Sequence, residues 1–126
     1  MNKKQSELTV VTRTKDLCSY IMTVTQKCPK NFRYTYVLRL QNLTMDIIEN
    51  IFRANDTFVS KGDASSYNIR LEFQHKALTD LKLLAYFSML AMEQKCLLPN
   101  LNKYRGICRR IETVSWYYYS GLLSVD

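Results

Sequence analysis

Glycine and proline are scarce: the 126-residue chain has three and two. A β-sandwich, a barrel or a Rossmann unit needs many tight turns, and those turns need Gly and Pro. The shortage points instead to few turns and long helices. Histidine is rarer still, with His75 standing alone. Long apolar runs are absent too. The most apolar stretch, Leu81 to Met92, contains Lys82 and is too short to span a bilayer. The opening MNKKQSEL is followed by no apolar signal core. Cys18, Cys28, Cys96 and Cys108 form no CxxC pair, so neither a disulfide framework nor a zinc site is indicated. These readings predict a cytoplasmic protein with free thiols, no metal, no cofactor and no membrane partner.

What is present is ordinary for a folded domain: 47% apolar and 23% charged residues. The length fits one domain. The net charge is +7, and it is uneven along the chain. Residues 1–40 hold eight basic groups against two acidic ones, whereas residues 41–65 hold two against four. Residues 66–100 carry +1 and residues 101–126 carry +2. A basic surplus favours polyanions, first of all through non-specific attraction.

Polar clusters and prolines divide the chain into four segments, about 13–28, 32–57, 67–97 and 102–123. Pro29 and Pro99 stand at two of the breaks, where proline pushes the preceding residue out of the α region. In the second segment Tyr36, Leu40, Leu43, Ile47 and Ile51 recur at steps of three and four. Arg39, Asn42, Asp46, Glu49 and Arg53 form a separate polar stripe. Val37, Thr44, Met45, Ile48 and Phe52 widen the apolar side to roughly half the cylinder. In the third segment Ile69, Phe73, Ala77, Leu84 and Ala91 share a line, and Leu83 to Met92 is apolar nearly all round. Such a helix needs burial on every side, which a small bundle alone does not supply. The expectation is an all-α, up-down antiparallel four-helix bundle that associates with copies of itself.

No catalytic constellation emerges. Glu72 and His75 have the ExxH spacing of di-metal bundles, but one histidine cannot supply the second copy of that motif. His75 projects onto the polar side with Glu72, Thr79, Lys82 and Glu93, as a solvated residue does. Gly62, Gly106 and Gly121 are isolated, so no phosphate-cradling loop is encoded. An enzyme is not expected.

The fourth segment is richer. Its expected core line is Leu101, Tyr104, Cys108, Ile111, Ser115, Tyr118 and Leu122, with Lys103, Arg105, Arg109 and Arg110 on the other side. Trp116 projects beside Arg105 and Arg109, and Tyr117 beside Lys103 and Arg110. Arginine beside exposed rings is the composition of nucleic-acid contact surfaces, where phosphates meet guanidinium groups and bases stack on rings. It is equally the composition of protein–protein hot spots, including a subunit interface. A second basic cluster, Lys27, Lys30 and Arg33, sits at the first turn, with Asn31 as the expected N-cap of the next helix.

The run Pro29-Lys30-Asn31-Phe32-Arg33-Tyr34-Thr35, followed by Leu40-Gln41-Asn42, Asp46-Ile47-Ile48-Glu49 and Arg53-Ala54-Asn55, resembles the second helix of a family of small four-helix-bundle proteins. Leu81-Lys82-Leu83-Leu84-Ala85-Tyr86-Phe87, Leu90-Ala91 and Tyr104-x-x-Ile107-Cys108-x-x-Ile111 resemble its third and fourth. The family comprises proteins encoded in intervening sequences of bacterial large-subunit ribosomal RNA genes and the accessory variability determinants (Avd) of diversity-generating retroelements. The resemblance spans roughly residues 12–123. It departs at Trp116-Tyr117-Tyr118-Tyr119-Ser120-Gly121, where the family often has a Gly-Gly-Trp-like ending.

The resemblance implies a bundle assembled into a ring, characteristically a homopentamer. For the Avd branch it implies a non-catalytic basic protein that binds a reverse transcriptase and RNA or DNA, and assists mutagenic cDNA synthesis. For the intervening-sequence branch it implies a ring-forming structural or interaction protein without nucleic-acid binding. The basic positions matching the family are Lys30, Arg33 and Arg53. Arg105, Arg109, Arg110, Trp116 and Tyr117 are candidates from the helical projection alone.

Overall fold

The three-to-four spacing of apolar residues becomes the inner face of four α-helices. The computed structural model describes residues 3–98 and 100–123, with side chains for all of these except 3, 4, 6 and 120–123. The helices are α1 (Lys3–Thr25), α2 (Leu38–Asp56), α3 (Ala64–Glu93) and α4 (Asn100–Leu123), with no strand among the described residues. Each packs on two neighbours, in the cyclic order α1, α2, α3, α4. Cross-helix contacts run antiparallel. Arg13 reaches Tyr117 and Asp16 reaches Arg110, while Arg39 meets Phe87 and Arg53 meets Phe73. No helix among the described residues is long and apolar enough to cross a membrane.

The core draws on all four helices. Leu17 and Ile21 of α1, Leu40, Ile47 and Ile51 of α2, Leu81 and Leu84 of α3, and Ile107 and Val114 of α4 are fully buried. Each such side chain contributes roughly 1.5–3 kcal/mol relative to exposure. Thr14, Thr25 and Thr44 also lie in the core, and their hydroxyls donate to the carbonyl four residues back at 2.7–2.8 Å. That local bond satisfies the buried hydroxyls of Thr14 and Thr44 without a tertiary partner, while the Thr25 hydroxyl also accepts from the Gln41 amide of α2 at 3.0 Å.

The helix ends differ from the sequence expectation, for local reasons. α1 begins at Lys3, well before Arg13, and buries Val10. The threonines at 9 and 12 bond back along the helix and hide its start from a reading of apolar period. The second segment does not open as a capped α-helix. Lys30–Phe32 form a 3₁₀ turn and Arg33–Val37 a π-helical turn, and Asn31 lies inside the first of these rather than at an N-cap. α3 starts at Ala64, three residues before Tyr67, because the Asp63 carboxylate accepts from the backbone N–H groups of Ser65 and Ser66.

α3 ends at Glu93, short of Leu97. Cys96 N–H donates to the Ala91 carbonyl at 2.9 Å, with Lys95 left-handed at φ 62°. That is a Schellman turn, closed by the buried pair Ala91 and Cys96. Pro99, expected to stop this helix, lies outside the described residues.

The inner line of α4 is Ile107, Ile111, Val114 and Tyr118. Leu101 is exposed, and Tyr104, Cys108 and Ser115 are only half-buried. Leu122 lies outside the described side chains. The helix is turned by about 60° from its expected setting, at 100° per residue. Gly106 accounts for the turn. A Cβ there would overlap the Tyr20 phenol, with its ring carbons at 2.6 and 2.9 Å. The missing side chain leaves room for the Tyr20 phenol from α1 on this side of α4, which is therefore covered. Nor is the inner line of α3 purely apolar: Ile69 is exposed, whereas Arg70 and Gln74 are buried.

Candidate nucleic-acid interface

The turned setting of α4 separates residues that the sequence pattern grouped. Arg110 and Tyr117 face the α1 seam. The Arg110 guanidinium lies over the Tyr20 ring at 3.8 Å, its Nε is 3.2 Å from Asp16 Oδ2, and Nη1 donates to the Gly106 carbonyl at 3.1 Å. Tyr117 packs on the core beneath Arg13, whose guanidinium is 5.5 Å from its ring centre. Both side chains are committed to holding α1 and α4 together.

Arg105, Arg109 and Trp116 point outward. Trp116 is 64% exposed, its ring edge-on to Tyr117 at 5.1 Å. Neither arginine has a carboxylate within 4 Å among the described residues. The three form a stripe roughly 16 Å long at 1.5 Å per residue.

Lys30 and Arg33 are exposed on the 3₁₀ and π-helical turns, without ion-pair partners among the described residues. Arg53 is elsewhere. It stands about 30 Å further along the second helix, bound to Glu49 at 2.7 Å and lying 6.0 Å from the Phe73 ring centre. The eight candidates therefore divide into five unpaired outward groups and three engaged ones.

The antiparallel topology sorts charge by end. Cutting each helix near its middle places residues 15–47 and 79–111 in one half of the bundle. That half holds eleven Lys and Arg against four Asp and Glu. The other half holds seven against six, with Asp126 outside the described residues. Of the four ion pairs among the described residues, Arg53–Glu49, Arg70–Glu7 and Lys76–Glu72 lie in the second half. In the basic half Arg110 alone is paired among the described residues.

The basic half also holds residues that sequence reasoning passed over. Tyr34, Thr35, Tyr36, Leu38, Arg39, Asn42 and Phe87 line an open groove of about 440 Å³ between the π-helical turn and α3. Arg39 lies over the Phe87 ring at 5.5 Å, and Phe32 meets Tyr36 at 5.9 Å. By spacing alone Arg39 is one member of a polar stripe. The available signal was Arg33-Tyr34-x-Tyr36-x-x-Arg39, inside a run from Leu17 to Met45 without one carboxylate.

Further along the α2–α3 face, the surroundings turn acidic. Burial raises the Asp80 carboxyl above its ordinary range; Asn50, which donates to it at 3.1 Å, partly offsets this, and Asp46 adds to it. His75 is exposed there. Among the described residues no three His, Cys, Asp or Glu side chains gather into a metal-binding group. The Cys96 and Cys18 thiols are not activated. Burial, with the Cys28 sulfur beside it, pushes Cys96 up to about 12, and burial also raises Cys18. Tyr104 is raised by its hydrogen bond with Cys108 and by burial. Comparison with known proteins found no matching family model, no matching curated protein and no matching solved structure.

Proposed function

We propose that this chain is a non-catalytic accessory protein that binds RNA or DNA through the basic half of its bundle. The observation that carries the reading is the sorting of charge: nearly all the surplus stands in one half, on side chains that, Arg110 apart, have no carboxylate of the described residues within 4 Å. Unpaired cations at this density release counterions when they meet phosphates, which makes such binding strong at low salt and weakly dependent on sequence. Arg105 and Arg109 offer one contact stripe, which Trp116 continues past the midline of α4, and Lys30 and Arg33 a second at the basic end.

The resemblance to the Avd branch adds the context. In it the protein forms a ring, a homopentamer, and assists a reverse transcriptase in mutagenic cDNA synthesis. Self-association has its own support in Leu38, Met45 and Phe52, exposed at seven-residue steps along one edge of α2. Beside them Val11, Cys18, Ile48 and Phe52 line an apolar trench of about 290 Å³ between α1 and α2. Apolar surface of this kind marks association. A ring repeats one basic patch around its axis, so weak contacts add through effective concentration.

The test is fluorescence anisotropy with labelled RNA and DNA across a salt series, alongside sedimentation equilibrium. The reading expects affinity falling steeply with salt and a mass several times 14.8 kDa. Absence of binding at low salt would refute nucleic-acid binding and leave the ring-forming interaction protein of the intervening-sequence type. A monomer at micromolar concentration would refute the ring. Co-purification with a reverse transcriptase encoded beside the gene tests the remaining element.

A further inference from the structure

We propose that the groove between the π-helical turn and α3 is a nucleobase pocket, taking one unstacked base of a single-stranded nucleic acid; the inference rests on the nucleic-acid reading above. Its lining is the first argument. Tyr34, Tyr36 and Phe87 present rings, Arg39 a guanidinium plane and Asn42 an amide. Bases bind proteins by stacking on aromatic or guanidinium planes and by hydrogen bonds to amide-type groups. A volume of about 440 Å³ falls within the range of ligand clefts.

The state of those side chains is the second argument. Tyr34 is 81% exposed, on a backbone wound as a π-helical turn. Such turns recur at functional sites. Arg39 has the Phe87 ring as its neighbour and no carboxylate within 4 Å among the described residues. A ring and a cation are thus held ready without a polar partner of their own.

Charge supplies the third argument and chooses the occupant. Lys30 and Arg33 stand just ahead of the lining residues Tyr34, Thr35 and Tyr36 along the chain, and no Asp or Glu occurs from Leu17 to Met45. A phosphodiester backbone fits this edge. Asp46 and Asp80 stand beyond Asn42 and repel phosphate, so the strand leaves the pocket toward Lys30 and Arg33 rather than along α2. A duplex keeps its base faces stacked and cannot use the rings, so the ligand is single-stranded.

The experiment uses the full chain and a fluorescein-labelled single-stranded oligonucleotide, read by anisotropy over a salt series. Its variants are Tyr34→Ala, Tyr34→Phe and Arg39→Ala, with circular dichroism and sizing of each. The expected result is a roughly 5- to 100-fold loss for Tyr34→Ala, the size of one stacked base, with the salt slope unchanged. Tyr34→Phe restores affinity because the ring is kept. Arg39→Ala also weakens binding, and lowers the slope by no more than about 0.7, the value of one cation on a single strand. Unchanged affinity in Tyr34→Ala overturns the pocket and leaves the nucleic-acid reading standing. Equal affinity for a duplex of the same length also overturns it. If Tyr34→Ala changes the oligomeric mass, the groove belongs to contacts between copies of the chain and the proposal fails. No binding by the unmutated chain defeats both proposals together.

Discussion

The two halves of the bundle share one core and treat charge in opposite ways. In the half containing the α2–α3 turn, Arg53, Arg70 and Lys76 each have a carboxylate within 4 Å. In the half containing the other two turns, Lys30, Arg33, Arg39, Arg105 and Arg109 have none among the described residues. The pairs at Arg53 and Lys76 are exposed, and such pairs contribute little to stability, typically below about 1 kcal/mol, whereas Arg70 is buried beside Glu7. The difference therefore bears less on how the fold is held together than on what each end attracts. Folding energy comes from the apolar layers common to both.

The comparison breaks most sharply at that shared core. Ile47 is fully buried near the middle of α2. Ile47→Ala should cost about 2–5 kcal/mol in urea unfolding, with both halves melting in a single transition. Two separate transitions would show that the halves are independent units.

Gly106→Ala tests the α1–α4 seam, where the added Cβ would overlap Tyr20 beneath Arg110. A net loss of roughly 1–3 kcal/mol is expected from overpacking, despite the better helix propensity of alanine. A gain would mean that α1 and α4 are less tightly apposed than described. Lys95→Gly works in the other direction at the basic end. It relieves a left-handed backbone that glycine tolerates, and should raise stability by roughly 0.5–1 kcal/mol in the same assay.

The smallest effect is expected at Asp80, which marks where the surface turns acidic. Its raised pKa means that the folded chain favours the protonated form. Its stabilising contribution is thus present below the ordinary carboxylate range and is lost as pH rises through the raised value. Asp80→Asn keeps an oxygen acceptor for Asn50 and removes the charge. It should be slightly more stable than the unmutated chain at neutral pH, with the advantage fading in acid. Melting temperatures across pH give the answer, and an advantage that grows in acid would contradict it.

Much of the fold is legible along the chain because α2 is cleanly amphipathic. Leu40, Leu43, Ile47 and Ile51 are buried and Arg39, Asn42, Asp46, Glu49 and Arg53 exposed, as their spacing predicts. α4 resists the same reading, since its rotation is set by a close approach at Gly106 that involves Tyr20, more than eighty residues away. The Schellman end of α3 was hidden because a lysine occupies the position where glycine would have announced it. Charge misled in another way. The linear tally puts the largest surplus in residues 1–40, whereas the folded tally pools the first turn with the third. Lys30 and Arg105 belong to one end only once the helices run antiparallel. Arg110 and Tyr117, half-buried, are engaged at the α1–α4 seam by Asp16, Tyr20 and Arg13, partners that lie about a hundred residues away and leave no mark on the helical projection.

Two charge-matched variants test the central claim directly. Arg105→Gln/Arg109→Gln removes two cations from the basic half; Arg53→Gln/Lys76→Gln removes two from the other. Both have the same net charge, so non-specific attraction alone treats them alike. Binding of a single-stranded oligonucleotide, measured over a salt series, should weaken in the first variant, with the salt slope lowered by about 1.4. The second should bind as the unmutated chain does. Equal losses in both variants would contradict the account, because total charge rather than its placement at one end would then govern binding.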